Sequence, residues 1–277
     1  MPSPFEQPPP QPGSEPLSRI PGETLAGKVV LLAGGSGGLG SATASLLARE
    51  GAGLLVGFRS NRARAEALQK VLEPLGKRIE LVQGDLNDPG VPAEYLRRAT
   101  ALGPLAGVAI FVGDPVRVPP GKPDTPIPEE VRMEASWKAN FLGPYLLARK
   151  SAERMAAQAT PGSIVLVSTM QAVAPFENSA VYASPKAALT HAARVLAREF
   201  GGKSNICVNV VAPGVTVAGM AAASVASGKY ERFVRDGIIP RYGRAEDVAR
   251  VVRLLLEPDG YITGQVITVD GGLTLRR

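Results

Sequence analysis

The sequence predicts an α/β fold in which a doubly wound parallel sheet of about seven strands carries helices on both faces. Three observations predict it. Short apolar runs rich in Val, Ile and Leu recur along the chain without the in-out alternation of a half-exposed strand. Longer amphipathic segments separate them, as right-handed βαβ crossovers require. A cluster of glycines follows the first apolar run and opens the first amphipathic segment.

Strands are expected at Val29–Ala33, Leu54–Phe58, Ile79–Gln83, Val108–Val112, Ser163–Val167, Ile206–Val211 and Gln265–Val269. The periodic segments predict helices at Leu39–Glu50, Arg62–Leu75, Ala93–Ala101, Glu129–Gln158, Tyr182–Phe200 and Ala245–Glu257. Two stretches break the alternation. Asp114–Pro128 holds six prolines and reads as a loop, while Val215–Asp236 is rich in small and then charged residues and reads as a helical lid. Both follow strand ends, where ligands of such sheets bind.

Residues 1–24 are Pro-rich with few core-forming side chains, so a disordered tail is expected before one domain over 25–277. Hydrophobic residues make up 45% of the 277 and charged residues 20%, enough for a core without staples. The single cysteine, Cys207, has no disulfide partner within the chain. No apolar run reaches the roughly 20 residues of a membrane span, and the N-terminus lacks a secretory pattern, so a cytoplasmic location is expected. The net charge is +6, but basic residues are interspersed with 25 acidic ones and only 5% of residues are aromatic. That pattern argues against a nucleic-acid partner.

The glycine cluster, Ala33 to Gly40, satisfies GxGxxG through Gly35, Gly37 and Gly40, and GxxxGxG through Gly34, Gly38 and Gly40. A strand, a glycine turn and a helix start form the context of a Rossmann-type dinucleotide loop. There the backbone closes on a pyrophosphate, and helix N-terminal amides bind it. Gly34, Ser36, Gly38, Leu39 and Gly40 are therefore expected to bind the cofactor at its phosphates. The same residues spell GxSxG around Ser36, a nucleophile-elbow pattern. The only histidine, His191, lies far along the chain on a predicted helix, which disfavours a serine hydrolase.

NAD-binding loops usually carry an acid about 20 residues on, at the ribose hydroxyls. Here the second strand ends in VGFRSN, and no acid lies between Gly51 and Ala65. A carboxylate there repels a 2′-phosphate, whereas a guanidinium grips it bidentately. Arg59, with Ser60 and Asn61 as neutral donors, therefore predicts NADP(H). Arg62 and Arg64 either add charge or belong to a helix surface. Asp85, after the third strand, is a candidate for the adenine edge or a turn residue.

The fifth strand ends at Ser168–Thr169, followed by Tyr182 and Lys186 in YASPK. Residues four apart share a helix face. An ammonium beside a phenol is expected to lower its pKa and make it a proton donor or acceptor at a substrate oxygen. A hydroxyl from Ser168 or Thr169 would hold that oxygen.

Together these motifs resemble the short-chain dehydrogenase/reductase family. The resemblance covers about residues 25–272 and rests on LAGKVVLLAGGSGG, Asn140, the hydroxyl with Tyr182 and Lys186, NVVAPG, and YITGQVITVDGG. It implies that Tyr182 is the acid/base and that Asn140 supports a proton relay to Lys186. It also implies that Pro213, Gly214 and Val215 contact the nicotinamide. A small carbonyl or alcohol substrate is implied, as is a homotetramer or homodimer formed through the helices at Glu129–Gln158 and Tyr182–Phe200. The three residues between Tyr182 and Lys186 resemble the ketoreductases of the family and not its enoyl reductases.

The sequence also departs from the family pattern. Ala33 stands where a threonine usually opens the glycine motif, and FVGD (Phe111 to Asp114) replaces the usual NNAG. The family serine aligns with Thr169, or with Ser168 on a one-residue shift. A threonine common after the PG proline is Ala218 here, with Thr216 close by. Pro185 is tolerable if it lies in the first helical turn. Two readings follow: an NADP(H)-dependent oxidoreductase, or a non-catalytic nucleotide-sensing or scaffold protein of the same fold. The loops around the site are mostly small and apolar, with Phe176, Tyr230 and Phe233, which favours an apolar or acyl substrate.

Overall fold

The computed structural model describes residues 24–75, 78–115 and 127–276. The predicted tail before Thr24 and the centre of the Asp114–Pro128 loop lie outside the described residues.

The expected strands form as β1 (Val29–Ala33), β2 (Gly53–Phe58), β3 (Ile79–Gln83), β4 (Leu105–Ile110), β5 (Gly162–Val167), β6 (Ile206–Pro213) and β7 (Val266–Val269). They pair in parallel in the order β3-β2-β1-β4-β5-β6-β7. The winding reverses between β1 and β4, which opens a crevice beyond their carboxyl ends. Ala33 sits at that point, in register with Gly57 of β2 and Ile110 of β4.

Both sheet faces are covered, and β1 shows why its residues do not alternate. Val29, Leu31 and Ala33 join one apolar layer while Val30 and Leu32 join the other. The helices are α1 (Gly38–Arg49), α2 (Arg62–Leu72), α3 (Val91–Leu102), α4 (Glu129–Trp137), α5 (Gly143–Ala157), α6 (Ala180–Phe200), α7 (Ala222–Ala226), α8 (Glu231–Arg235), α9 (Ala245–Leu255) and α10 (Leu273–Arg276). α1 and α9 pack together on one face, and α3, α5 and α6 cover the other. A third, smaller apolar cluster joins Met170, Val215, Phe233, Ile239 and Leu273 beneath the helical segment at 219–235.

Three expectations need correction. The fourth strand ends at Ile110, two residues early, because the carbonyl of Val112 turns out of the ladder to accept from Lys186 Nζ at 3.0 Å. The long helix expected over 129–158 is interrupted by a π-helical turn at Lys138–Leu142. Such turns reposition a side chain within a helix, and this one contains Asn140. Pro185 is not in a first turn. The helix begins at Ala180, so Pro185 lies in the second turn and removes the rung to the Val181 carbonyl.

Candidate active site

The crevice holds a cleft of about 1730 Å³ that runs from the glycine loop to the helical segment at 219–235. At its floor, Gly34 leaves β1 with φ +76°, a left-handed conformation that glycine adopts without strain. A Cβ on Gly40 would lie 2.6 Å from the Gly34 carbonyl oxygen, so the helix start can fold onto the loop only as glycine. α1 has no side-chain cap and no acidic residue in its first turn. Its leading amides and positive dipole end therefore suit a phosphate. Gly34, Ser36, Gly38, Leu39 and Gly40 all line the cleft.

Arg59, Ser60, Asn61 and Arg64 line it beyond the end of β2. Asn61 also caps α2, its side-chain oxygen accepting from Arg64 N–H at 2.9 Å. Arg62 instead turns toward Gln83 and stacks on Phe58, which settles it as helix surface. Asp85 lines the cleft, and its carboxylate accepts from Asn87 N–H at 3.0 Å, so it is a turn residue with a cleft-facing position.

Tyr182 and Thr169 both line the cleft. Thr169 Oγ1 accepts from Gln171 N–H at 3.3 Å and opens a short turn. Ser168 is 5% exposed and faces α6, donating to the Lys186 carbonyl and accepting from Thr190 Oγ1, each at 3.2 Å. The two hydroxyls are thus separated: Thr169 reaches the cleft and Ser168 ties β5 to α6.

Lys186 lies one turn after Tyr182 on α6. Its Nζ is drawn into the protein and donates to the carbonyls of Val167 at 2.9 Å and Val112 at 3.0 Å. Burial lowers its pKa to about 7. Burial and the charge of Asp114 push the Tyr182 hydroxyl up to about 12. The phenol is therefore protonated at neutral pH.

Asn140 is completely buried at the π turn. Its Nδ2 donates to Ser136 Oγ at 2.9 Å and to the Asp114 carbonyl at 2.7 Å, and its Oδ1 accepts from Asp114 N–H at 2.9 Å. Pro213, Gly214 and Val215 also line the cleft. Thr216 lines the cleft beside them, its hydroxyl donating to the Gly214 carbonyl at 3.2 Å. His191 is exposed on α6 and absent from the cleft wall, so Ser36 has no histidine partner. Among the described residues no cluster of metal-ligating side chains occurs, and no helix is long and apolar enough to cross a membrane.

A family model described as enoyl-(acyl carrier protein) reductase matches residues 33–274. The chain belongs to the short-chain dehydrogenase/reductase family. An uncharacterized oxidoreductase of Methylorubrum extorquens is 32% identical, over 90% of this chain and 98% of its own length. An L-rhamnose 1-dehydrogenase (NAD(P)(+)) of a Sphingomonas species is 29% identical, over 90% and 97%. The solved structure of a short-chain type dehydrogenase/reductase from Mycobacterium ulcerans superposes with a TM-score of 0.82 at 28% identity, covering 91% of this chain and 92% of that one. As a short-chain dehydrogenase/reductase the chain is an oxidoreductase of the alcohol–carbonyl type that works with a nicotinamide cofactor, NAD or NADP.

Sequence reasoning passed over the role of Asp114, Ser136 and the basic side chains Lys229 and Arg232, which also line the short-chain dehydrogenase/reductase cleft or support it. The four-residue spacing of Ser136 and Asn140 was a legible signal for their pairing. So was a lone acid, Asp114, at the end of an apolar strand run.

Proposed function

We propose that this short-chain dehydrogenase/reductase is an NADP(H)-dependent oxidoreductase of a carbonyl or alcohol, with Tyr182 as the proton donor or acceptor. The observation that carries this reading is that Tyr182 and Thr169 both line the cleft that also takes in the glycine loop. The amides around Gly38–Gly40 hold the pyrophosphate, and Pro213, Gly214 and Val215 flank the nicotinamide. When bound, the nicotinamide supplies or accepts hydride at the substrate carbon.

In the reducing direction Thr169 donates a hydrogen bond to the substrate oxygen and Tyr182 delivers its proton there. The hydroxyl's position near pKa 12 suits that direction, since the phenol is protonated at neutral pH. Lys186 and Asn140 position the floor beneath it through Val112 and Asp114. The three-residue interval between Tyr182 and Lys186 supports a carbonyl over an enoyl substrate, although the matching family model carries the enoyl-reductase description.

Arg59, Ser60, Asn61 and Arg64 at the end of β2, with no acid among them, support NADP(H). A relative's name that covers both cofactors, NAD(P)(+), is compatible with either. Self-association through α4, α5 and α6 gains support from exposed Trp137, Leu142 and Val195. The protein is expected in the cytoplasm.

One observation favours the second reading, a nucleotide-sensing protein without turnover: Lys186 Nζ is tied to the carbonyl of Val112, inside the FVGD segment that departs from the family pattern. Fluorescence titration with NADPH and NADH, followed by a ketone and aldehyde screen with the tighter cofactor, separates the two. Turnover supports the oxidoreductase; tight binding without turnover on any member of the panel supports the sensor.

A further inference from the structure

Arg59 follows β2 and Asp114 follows β4, strands that flank β1 on opposite sides. Their side chains nevertheless meet, Arg59 NH1 donating to Asp114 Oδ2 at 3.3 Å. Both residues line the cleft that also takes in the glycine loop. Asp114 is anchored at its base, because Asn140 binds both its N–H and its carbonyl. Only its side chain has to turn for Arg59 to be released.

We propose that Asp114 is a specificity-determining residue whose carboxylate competes with the 2′-phosphate of NADP(H) for the Arg59 guanidinium. This rests on the reading of Arg59 as the group that binds that phosphate. The side chains are 57% and 33% exposed, so the ion pair is solvated and weak. A phosphate dianion offers more oxygens in a bidentate geometry and displaces a single carboxylate oxygen. The displacement still takes free energy from NADP(H) binding. NAD(H) presents only hydroxyls there and has no need of Arg59, so the pair leaves its binding unchanged. Asp114 thereby narrows the preference that Arg59 confers, letting the cleft accept both cofactors.

The test is equilibrium binding of NADPH and NADH by nicotinamide fluorescence, in the wild type, Asp114→Asn, Arg59→Ala and the double variant. Asp114→Asn keeps the backbone bonds to Asn140, and Asp114→Ser serves as a second variant should the first be poorly folded. The expected result is NADPH binding tightened about fivefold and NADH changed less than about twofold, the scale of a half-exposed ion pair. With Arg59→Ala in place the selective gain disappears. Equal gains for both cofactors, or a selective gain that survives Arg59→Ala, overturns the competition. If Arg59→Ala alone weakens both cofactors equally, the 2′-phosphate role of Arg59 fails, and that result is read separately from the Asp114 variants.

Discussion

Asn140 grips Asp114 by both sides of its backbone: Oδ1 accepts from the N–H at 2.9 Å and Nδ2 donates to the carbonyl at 2.7 Å. The second Nδ2 hydrogen goes to Ser136 Oγ, so every amide donor of this completely buried side chain is satisfied. The π turn brings the amide to the right depth, and the loop after β4 takes its shape from it.

Asn140→Ala leaves a peptide N–H and carbonyl without these partners. The variant is expected to lose about 1–3 kcal/mol in urea unfolding, the cost of stranding buried polar groups. Hydrogen exchange at the Asp114 amide should rise well beyond the general change. Unaltered protection of that amide would contradict the anchoring role.

The hydroxyl assignment is testable by contrast. Thr169→Ala is expected to cut turnover about 100-fold, the usual effect of removing one donor from a reacting oxygen, with little change in melting temperature. Ser168→Ala should do the reverse, because its hydroxyl joins Thr190 and the Lys186 carbonyl away from the cleft. Parallel steady-state kinetics and thermal melts check both. A large kinetic loss confined to Ser168→Ala would exchange the two roles.

Much of this was legible in the chain. β1, with Val29 to Ala33 buried on both faces, reads directly as an apolar run, and Gly34 and Gly40 announce the turn that follows. Tyr182 and Lys186 were visible as a pair by spacing, but the direction of the Lys186 side chain was not. That direction depends on where the Val112 and Val167 carbonyls point, and these come from two other strand ends. The π turn at Asn140 was hidden for a similar reason: apolar periodicity does not register one residue of altered winding. The Arg59–Asp114 pair joins positions 55 apart in sequence and follows only from the strand order.

Lys186 should make stability rise with pH. Its pKa falls from 10.5 to about 7 on folding, so between those values the unfolded chain binds more protons. Unfolding free energy then increases with pH, by up to about 1.4 kcal/mol per unit from this group. Below about pH 7 the fold carries the full cost of a buried ammonium. Lys186→Met lacks this slope, so its stability relative to wild type should fall as the pH is raised from 7.5 to 9.5 in urea titrations. Parallel pH dependences in the two proteins would show that Lys186 is charged in the fold.

Proton transfer by Tyr182 is decided by the Tyr182→Phe variant. The substitution removes one hydroxyl from the cleft wall and leaves the glycine loop and Arg59 untouched. With a ketone or aldehyde that wild type reduces, NADPH binding is expected to stay within about twofold and turnover to fall at least 100-fold, the typical contribution of a positioned general acid. Turnover of Tyr182→Phe close to wild type, with NADPH bound equally well, would contradict it.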